Sequence, residues 1–210
     1  MPSPAASHHS SVNRQAGQPR FQAAVIGCSA GGLEALKIVL GALPPNLDIA
    51  VIVVAHTAHD GDHLLPSLLG NICKLPVSEA RERDPVEPGR IYVAPPNYHL
   101  LIEPNRGFAL SVDERVCFVR PSIDVLFCSA ADAYREQLIG LILTGANQDG
   151  ALGLKAVKDA GGYTLAQDPS TAYADTMPKA AIETGAVDRV LPLDALAADI
   201  LRACTLSVES

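Results

Sequence analysis

The sequence predicts an α/β fold: a doubly wound, mostly parallel sheet with helices on both faces and a small antiparallel hairpin insertion. Three observations carry this. Val- and Ile-rich runs, apolar at nearly every position, alternate with segments of helical spacing, and such runs suit strands buried on both faces. The first run passes directly into a glycine-rich turn, Gly27-Cys28-Ser29-Ala30-Gly31-Gly32, and then into a helical pattern. Clusters of Pro, Gly and Asn separate the later runs.

The elements can be justified in order. Phe21–Ile26 reads as a strand and Gly32–Leu40 as a helix. Leu47–Val54 is a β-branched apolar run, and Asp62–Leu69 has helical spacing. Val77–Glu79 reads as a short strand and Arg90–Ala94 as another, stopped by Pro95-Pro96. Tyr98–Glu103 and Phe108–Val112 pair as a hairpin around Pro104-Asn105-Arg106-Gly107. Ser122–Ala133 is helical, Gln137–Leu143 a buried strand, and Gly150–Ala160 a helix ended by Gly161-Gly162. Tyr163–Ala166 and Arg189–Leu191 read as strands, Pro178–Thr184 and Asp194–Ala203 as helices. Fully apolar strands joined by helices give a Rossmann-like sheet, whose ligands bind beyond the carboxyl ends of the strands.

Composition narrows the functional classes. The 210 residues suffice for one domain with a full core. Sixteen basic against 23 acidic residues give a net charge of -7, which argues against nucleic-acid and anionic-membrane partners. The five cysteines (Cys28, Cys73, Cys117, Cys128 and Cys204) are odd in number and lack a C-x-x-C pair. That pattern predicts a reduced, cytoplasmic setting without a disulfide framework or zinc knuckle. No apolar run reaches membrane-spanning length, so no membrane insertion is expected. Residues 1–20, rich in Ser, Pro, Ala and Gln, predict a disordered tail ahead of one domain at 21–205. His8 and His9 fall in that tail and read as solvated.

Three residues with complementary chemistry follow three different strands. Ser29 follows the first, His56 follows Ile49–Val54, and Asp149 lies in the loop after Leu138–Leu143. A serine hydroxyl is a weak nucleophile that needs a base. A histidine can take that proton and return it to a leaving group, and an aspartate can fix the imidazole tautomer. Backbone N–H groups at Ala30 and Ala146 are candidates to hold an oxyanion. Each residue also has a plainer reading: Ser29 as a helix cap or phosphate ligand, His56 as a core histidine, Asp149 as a helix N-cap. His99 and Asn147 are candidates to line the cleft. His56, His59, Asp60 and His63 lack the H-E-x-x-H pattern and read as an acidic loop, so no metal is expected. Cys28, beside Ser29, reads as buried and as the weaker nucleophile.

Two rival motifs fail. Gly27-Cys28-Ser29-Ala30-Gly31 matches the G-x-S-x-G elbow, but α/β-hydrolases order their triad Ser, Asp, His, and here the order is Ser, His, Asp. A dinucleotide site needs G-x-G-x-x-G and an acid after the second strand, where this chain has His56.

The chain resembles the catalytic domain of the chemotaxis protein-glutamate methylesterases, the CheB family, from about Phe21 to Leu193. The resemblance rests on an ordered set of segments: Val25–Gly32, Val53–His56, Tyr92–Pro96, Arg120–Phe127, Leu143–Gly145 with Asp149–Ala151, Ala166–Asp168 and Met177–Ala181. It implies that residues 21–205 form a CheB-type methylesterase domain with Ser29 as nucleophile, His56 as base and Asp149 as acid. It implies hydrolysis of glutamate γ-methyl esters on methyl-accepting chemoreceptors or another methylated protein, with methanol released. Deamidation of receptor glutamines is a second implied activity, and no cofactor is implied. The chain departs from the family pattern at Ala30 (often Thr), Ala55 (commonly Gln) and Asn147, which replaces the second glycine of T-G-x-G-x-D-G. These departures keep open a binding or scaffolding module of a signalling system, and a hydrolase with a substrate outside chemotaxis. Two-domain members carry a receiver ahead of the esterase. The short tail here predicts either constitutive activity or control by a separate receiver or methyltransferase partner.

Overall fold

The computed structural model describes residues 20–56 and 64–205. The expected tail, with His8 and His9, and the segment holding His59, Asp60 and His63 lie outside the described residues. The chain runs β1 (Ala23–Cys28), α1 (Gly32–Gly41), β2 (Ala50–Ala55), α2 (Leu65–Gly70), β3 (Val77–Glu79), β4 (Ile91–Val93), β5 (His99–Ile102), β6 (Phe108–Ser111), α3 (Ile123–Tyr134) and β7 (Leu138–Ile142). It continues with α4 (Ala151–Asp159), β8 (Tyr163–Gln167), α5 (Thr176–Glu183), β9 (Arg189–Leu191) and α6 (Leu196–Thr205).

Seven strands form one parallel sheet in the order β3-β4-β2-β1-β7-β8-β9. The fully buried strands β1 and β7 sit at its centre, which is why their sequences carry no polar face. One core packs Leu36 and Leu40 of α1, Leu65 and Leu69 of α2, and Leu196 and Ile200 of α6 against one face. The second core packs Leu126 and Phe127 of α3 and Leu154 and Val157 of α4 against the other, together with the hairpin residues Leu100 and Phe108. That hairpin, β5–β6, is the expected antiparallel insertion and pairs separately from the main sheet.

Sheet order reverses around β1: the chain builds outward on the β2 side, then returns to place β7 on the other flank. Loops therefore diverge at the carboxyl ends of β1, β2 and β7, which opens a crevice there. The helices α3 and α4 cross closely under that crevice because Gly153 lacks a side chain. A Cβ at Gly153 would lie 2.6 Å from Phe127 Cβ and 2.9 Å from Asp124 Cα. Gly153→Ala should therefore force the two helices apart and cost about 2 kcal/mol. A lower urea midpoint with unchanged slope is the expected result.

Candidate active site

The crevice is built from three loop starts. β1 and β2 are in register with Cys28 opposite Ala55, and the His56 N–H donates to the Cys28 carbonyl at 3.0 Å. Ser29 and His56 are thus the first residues past the sheet on neighbouring strands. On the other flank of β1, the Ser29 N–H donates to the Thr144 carbonyl at 2.9 Å, which ties the turn to the loop after β7. The Thr144 hydroxyl strengthens that tie by donating to the Ala30 carbonyl at 2.8 Å. Gly31 closes the turn with φ +78°, and a Cβ there would also lie 2.5 Å from Tyr173 Cβ. Both facts require glycine at this position. Cys28 is fully buried and burial pushes its thiol up to about 12, so it is held as an unreactive thiol.

Asp149 has no solvent exposure and reaches His56 directly: His56 Nε2 lies 2.9 Å from Asp149 Oδ2. The same carboxylate accepts three further hydrogen bonds. The Ser122 hydroxyl donates to Oδ1 at 2.8 Å, the Ile123 N–H to Oδ2 at 2.7 Å, and the Asp124 N–H to Oδ1 at 3.2 Å. Ile123 and Asp124 open α3, so Asp149 sits on the exposed donors and positive end of that helix. Burial alone would raise the Asp149 pKa; the bonds from His56, Ile123, Ser122 and Asp124 outweigh it and hold the carboxyl below its ordinary value. An ionised Asp149 in turn requires a proton on His56 Nε2, which leaves Nδ1 as the unprotonated ring nitrogen.

The plainer reading of Asp149 as an N-cap is half right in an unexpected sense. Its own helix, α4, is capped by Gly150, while its carboxylate caps α3. Asp124 of α3 returns the arrangement, accepting the Gly153 N–H of α4 at 2.6 Å. Ser122 caps α3 and binds Asp149 at once, a role that its sequence context does not reveal. A serine just before an apolar helical run is a cap signal, but nothing in the sequence says which loop that helix end meets. Cys117, Asp124 and Asp149 also bring ligand-type atoms within 4.8 Å of one another. Both Asp149 oxygens are already taken by N–H and O–H donors, the wrong polarity of surroundings for a cation.

The other expected site residues divide. Ala30 and Ala146 have backbone N–H groups without a partner among the described residues, so both are free for a ligand. Asn147 is half-buried beside His56, with Nδ2 3.5 Å from His56 Nδ1. His99 does not line the crevice: it is buried in β5, its Nε2 donating to the Glu114 carbonyl at 3.0 Å and its Nδ1 accepting the Ser122 N–H at 3.2 Å. Its place behind Ser122 makes it a support of the α3 N-terminus. The closeness of His99 to Pro95-Pro96 in sequence points to the cleft, whereas strand alternation in β5 turns it inward.

Around these groups the surface is shallow. A cavity of about 140 Å³ opens beside His56, walled by Pro96, Asn97, Val119 and Pro121 and bordered by Arg115 and Phe118. Phe118 is 93% exposed and Tyr173, over the Ser29 turn, is 84% exposed. Exposed aromatic rings at a crevice mark a surface for a macromolecule more than for a small enclosed ligand.

Comparison with known proteins gives a consistent answer. Residues 24–200 match the family model described as CheB methylesterase. A relative from Leptospira interrogans is 47% identical over 182 residues, covering 87% of this chain and 94% of its own length. A protein-glutamate methylesterase/protein-glutamine glutaminase of Anaeromyxobacter dehalogenans is 46% identical over 176 residues, and the match spans 83% of this chain and 51% of the relative. The chain therefore spans about half the length of that relative and nearly all of the first. The crystal structure of the Thermotoga maritima CheB methylesterase catalytic domain superposes with a TM-score of 0.83 at 33% identity, covering 87% of this chain and 98% of the other.

Proposed function

Since the chain belongs to the CheB methylesterase family, we propose that it is a protein-glutamate methylesterase that hydrolyses glutamate γ-methyl esters on methylated chemoreceptors, with Ser29, His56 and Asp149 as its triad. The observation that carries this reading is the buried, fourfold hydrogen-bonded Asp149 joined to His56 Nε2 at 2.9 Å, one strand away from Ser29.

That geometry supports the following steps. Asp149 holds the Nε2 proton, so Nδ1 is the nitrogen that takes the Ser29 proton as Oγ attacks the ester carbonyl. The carbonyl oxygen becomes an oxyanion, for which the Ala30 and Ala146 N–H groups are the available backbone donors. The imidazolium, stabilised by Asp149, returns its proton to the methoxide leaving group. Methanol departs and a glutamyl ester of Ser29 remains. A water deprotonated at Nδ1 then attacks that ester and frees the glutamate carboxylate and Ser29. The same sequence with ammonia as leaving group deamidates glutamine.

No helix among the described residues is long and apolar enough to cross a membrane. The shallow crevice and the exposed Phe118 and Tyr173 suit a glutamate presented on the outside of a protein rather than a free ester drawn into a pocket. The test is methanol release from methyl-esterified chemoreceptors. Release that continues until the esters are consumed is expected. A folded protein that releases none would overturn the substrate assignment and favour a binding role.

A further inference from the structure

Asn147 stands where it touches the working nitrogen of His56, and its orientation is fixed by its own partners. Its Oδ1 accepts the Asp149 N–H at 3.2 Å, which turns its NH₂ group toward His56 Nδ1, 3.5 Å away. The opposite amide orientation would set an N–H against an N–H. Among the described residues this amide is the only hydrogen-bond partner of Nδ1, and the Ser29 hydroxyl has none.

We propose that Asn147 is a positioning residue that donates to His56 Nδ1 in the resting enzyme, until the Ser29 hydroxyl takes its place there, and so sets the lower pH limit of activity. The inference rests on the esterase reading above. A neutral donor aimed at a lone pair stabilises the neutral imidazole. Protonation at Nδ1 sets two donors against each other, so the amide resists it. Asp149, on the opposite ring edge, pulls the other way by favouring the imidazolium. Among the described residues, the remaining charged and titratable groups facing this region are Arg115 and Arg120, which share the cavity wall with His56, and Asp124 and Cys117 beside Asp149. The two guanidinium groups oppose protonation and Asp124, when ionised, favours it. Asn147 is the one of these neighbours in contact with Nδ1 itself. The backbone at Asn147 has no positive φ, so smaller residues fit without strain.

The experiment is the pH profile of kcat/KM for methanol release by the wild type, Asn147→Ala and Asn147→Ser, with the His56 imidazole titration followed by NMR in the same proteins. Serine can still accept the N–H two residues on, so it keeps the turn but is too short to reach Nδ1. Both variants should retain the plateau within about threefold and move the acid limb and the His56 titration upward by roughly half a pH unit. At a pH one unit below the wild-type midpoint this is about a threefold loss of kcat/KM. Asn147→Asp should move the limb further up, because a carboxylate at Nδ1 favours the imidazolium. Coincident titrations in wild type and Asn147→Ala would overturn the proposal. So would a serine variant that titrates like wild type, which would assign Asn147 to the turn alone. A plateau lost with no shift would also overturn it. Absence of turnover in the wild type, by contrast, strikes at the esterase reading, and the NMR titration still decides the contact.

Discussion

Ser29→Ala is expected to lower ester hydrolysis by at least about a thousandfold and to leave the protein folded. The size follows from the chemistry: without the oxygen nucleophile no acyl-enzyme forms, and only the backbone donors and substrate binding remain to assist water. The preserved fold follows from the structure. Ser29 contributes its backbone to the turn, through its N–H to Thr144 and its carbonyl to the Gly32 N–H at 2.7 Å, and alanine keeps both bonds. Its hydroxyl holds no partner among the described residues. Methanol release and a urea unfolding curve, measured on the same preparation, check the two halves. Residual turnover near the wild-type rate would remove Ser29 from the mechanism.

Asp149→Ala should damage activity and stability together. Loss of the carboxylate frees the His56 tautomer and leaves the imidazolium uncompensated, an effect of about four orders of magnitude in kcat. It also strands the Ser122 hydroxyl and the Ile123 and Asp124 N–H groups in a buried site where they bonded to the carboxylate. Leaving buried donors unmet costs about 1–3 kcal/mol each before relaxation. A net destabilisation of about 3 kcal/mol is expected once water or shifted side chains recover part of it. The urea midpoint measures the stability loss, and kcat measured where the variant is still folded gives the catalytic loss. A variant as stable as wild type would show that the α3 N-terminus does not depend on this carboxylate. The carboxylate that bonds His56 also joins α3 to the α4 loop, so the placing of His56 and the helix packing depend on one group.

The fold is legible in the sequence because its signals are local, and so is the placing of Ser29, His56 and Asp149 after three strands. β1 and β7 are apolar throughout, which marks central parallel strands, and Ser29, His56 and Asp149 each follow such a run. The hairpin was legible because Pro104-Asn105-Arg106-Gly107 has turn chemistry between two strand-like runs. The support behind Asp149 was not. Ser122 is distant from Asp149 in sequence, and only the packing of α3 across α4 brings its hydroxyl to the carboxylate. The place of His99 is hidden for the same reason: its sequence neighbours are loop residues, while its partners, Glu114 and Ser122, come from the next hairpin strand's exit and from the α3 cap. In sequence, Asn147 stands out only as a departure from a glycine pattern. That its amide meets His56 depends on a side-chain bond to the Asp149 N–H, which spacing alone does not reveal. Gly150, with φ +98°, supplies the left-handed residue in that loop, and Asn147 has no positive φ.

The most direct measurement is covalent trapping by a fluorophosphonate, a reagent that reacts only with an activated serine, followed by peptide mass spectrometry of the intact wild-type protein and of His56→Ala. The account predicts a single adduct on Ser29 in the wild type and its near disappearance in His56→Ala. Labelling at another serine, or labelling of Ser29 at the same rate without His56, would contradict it.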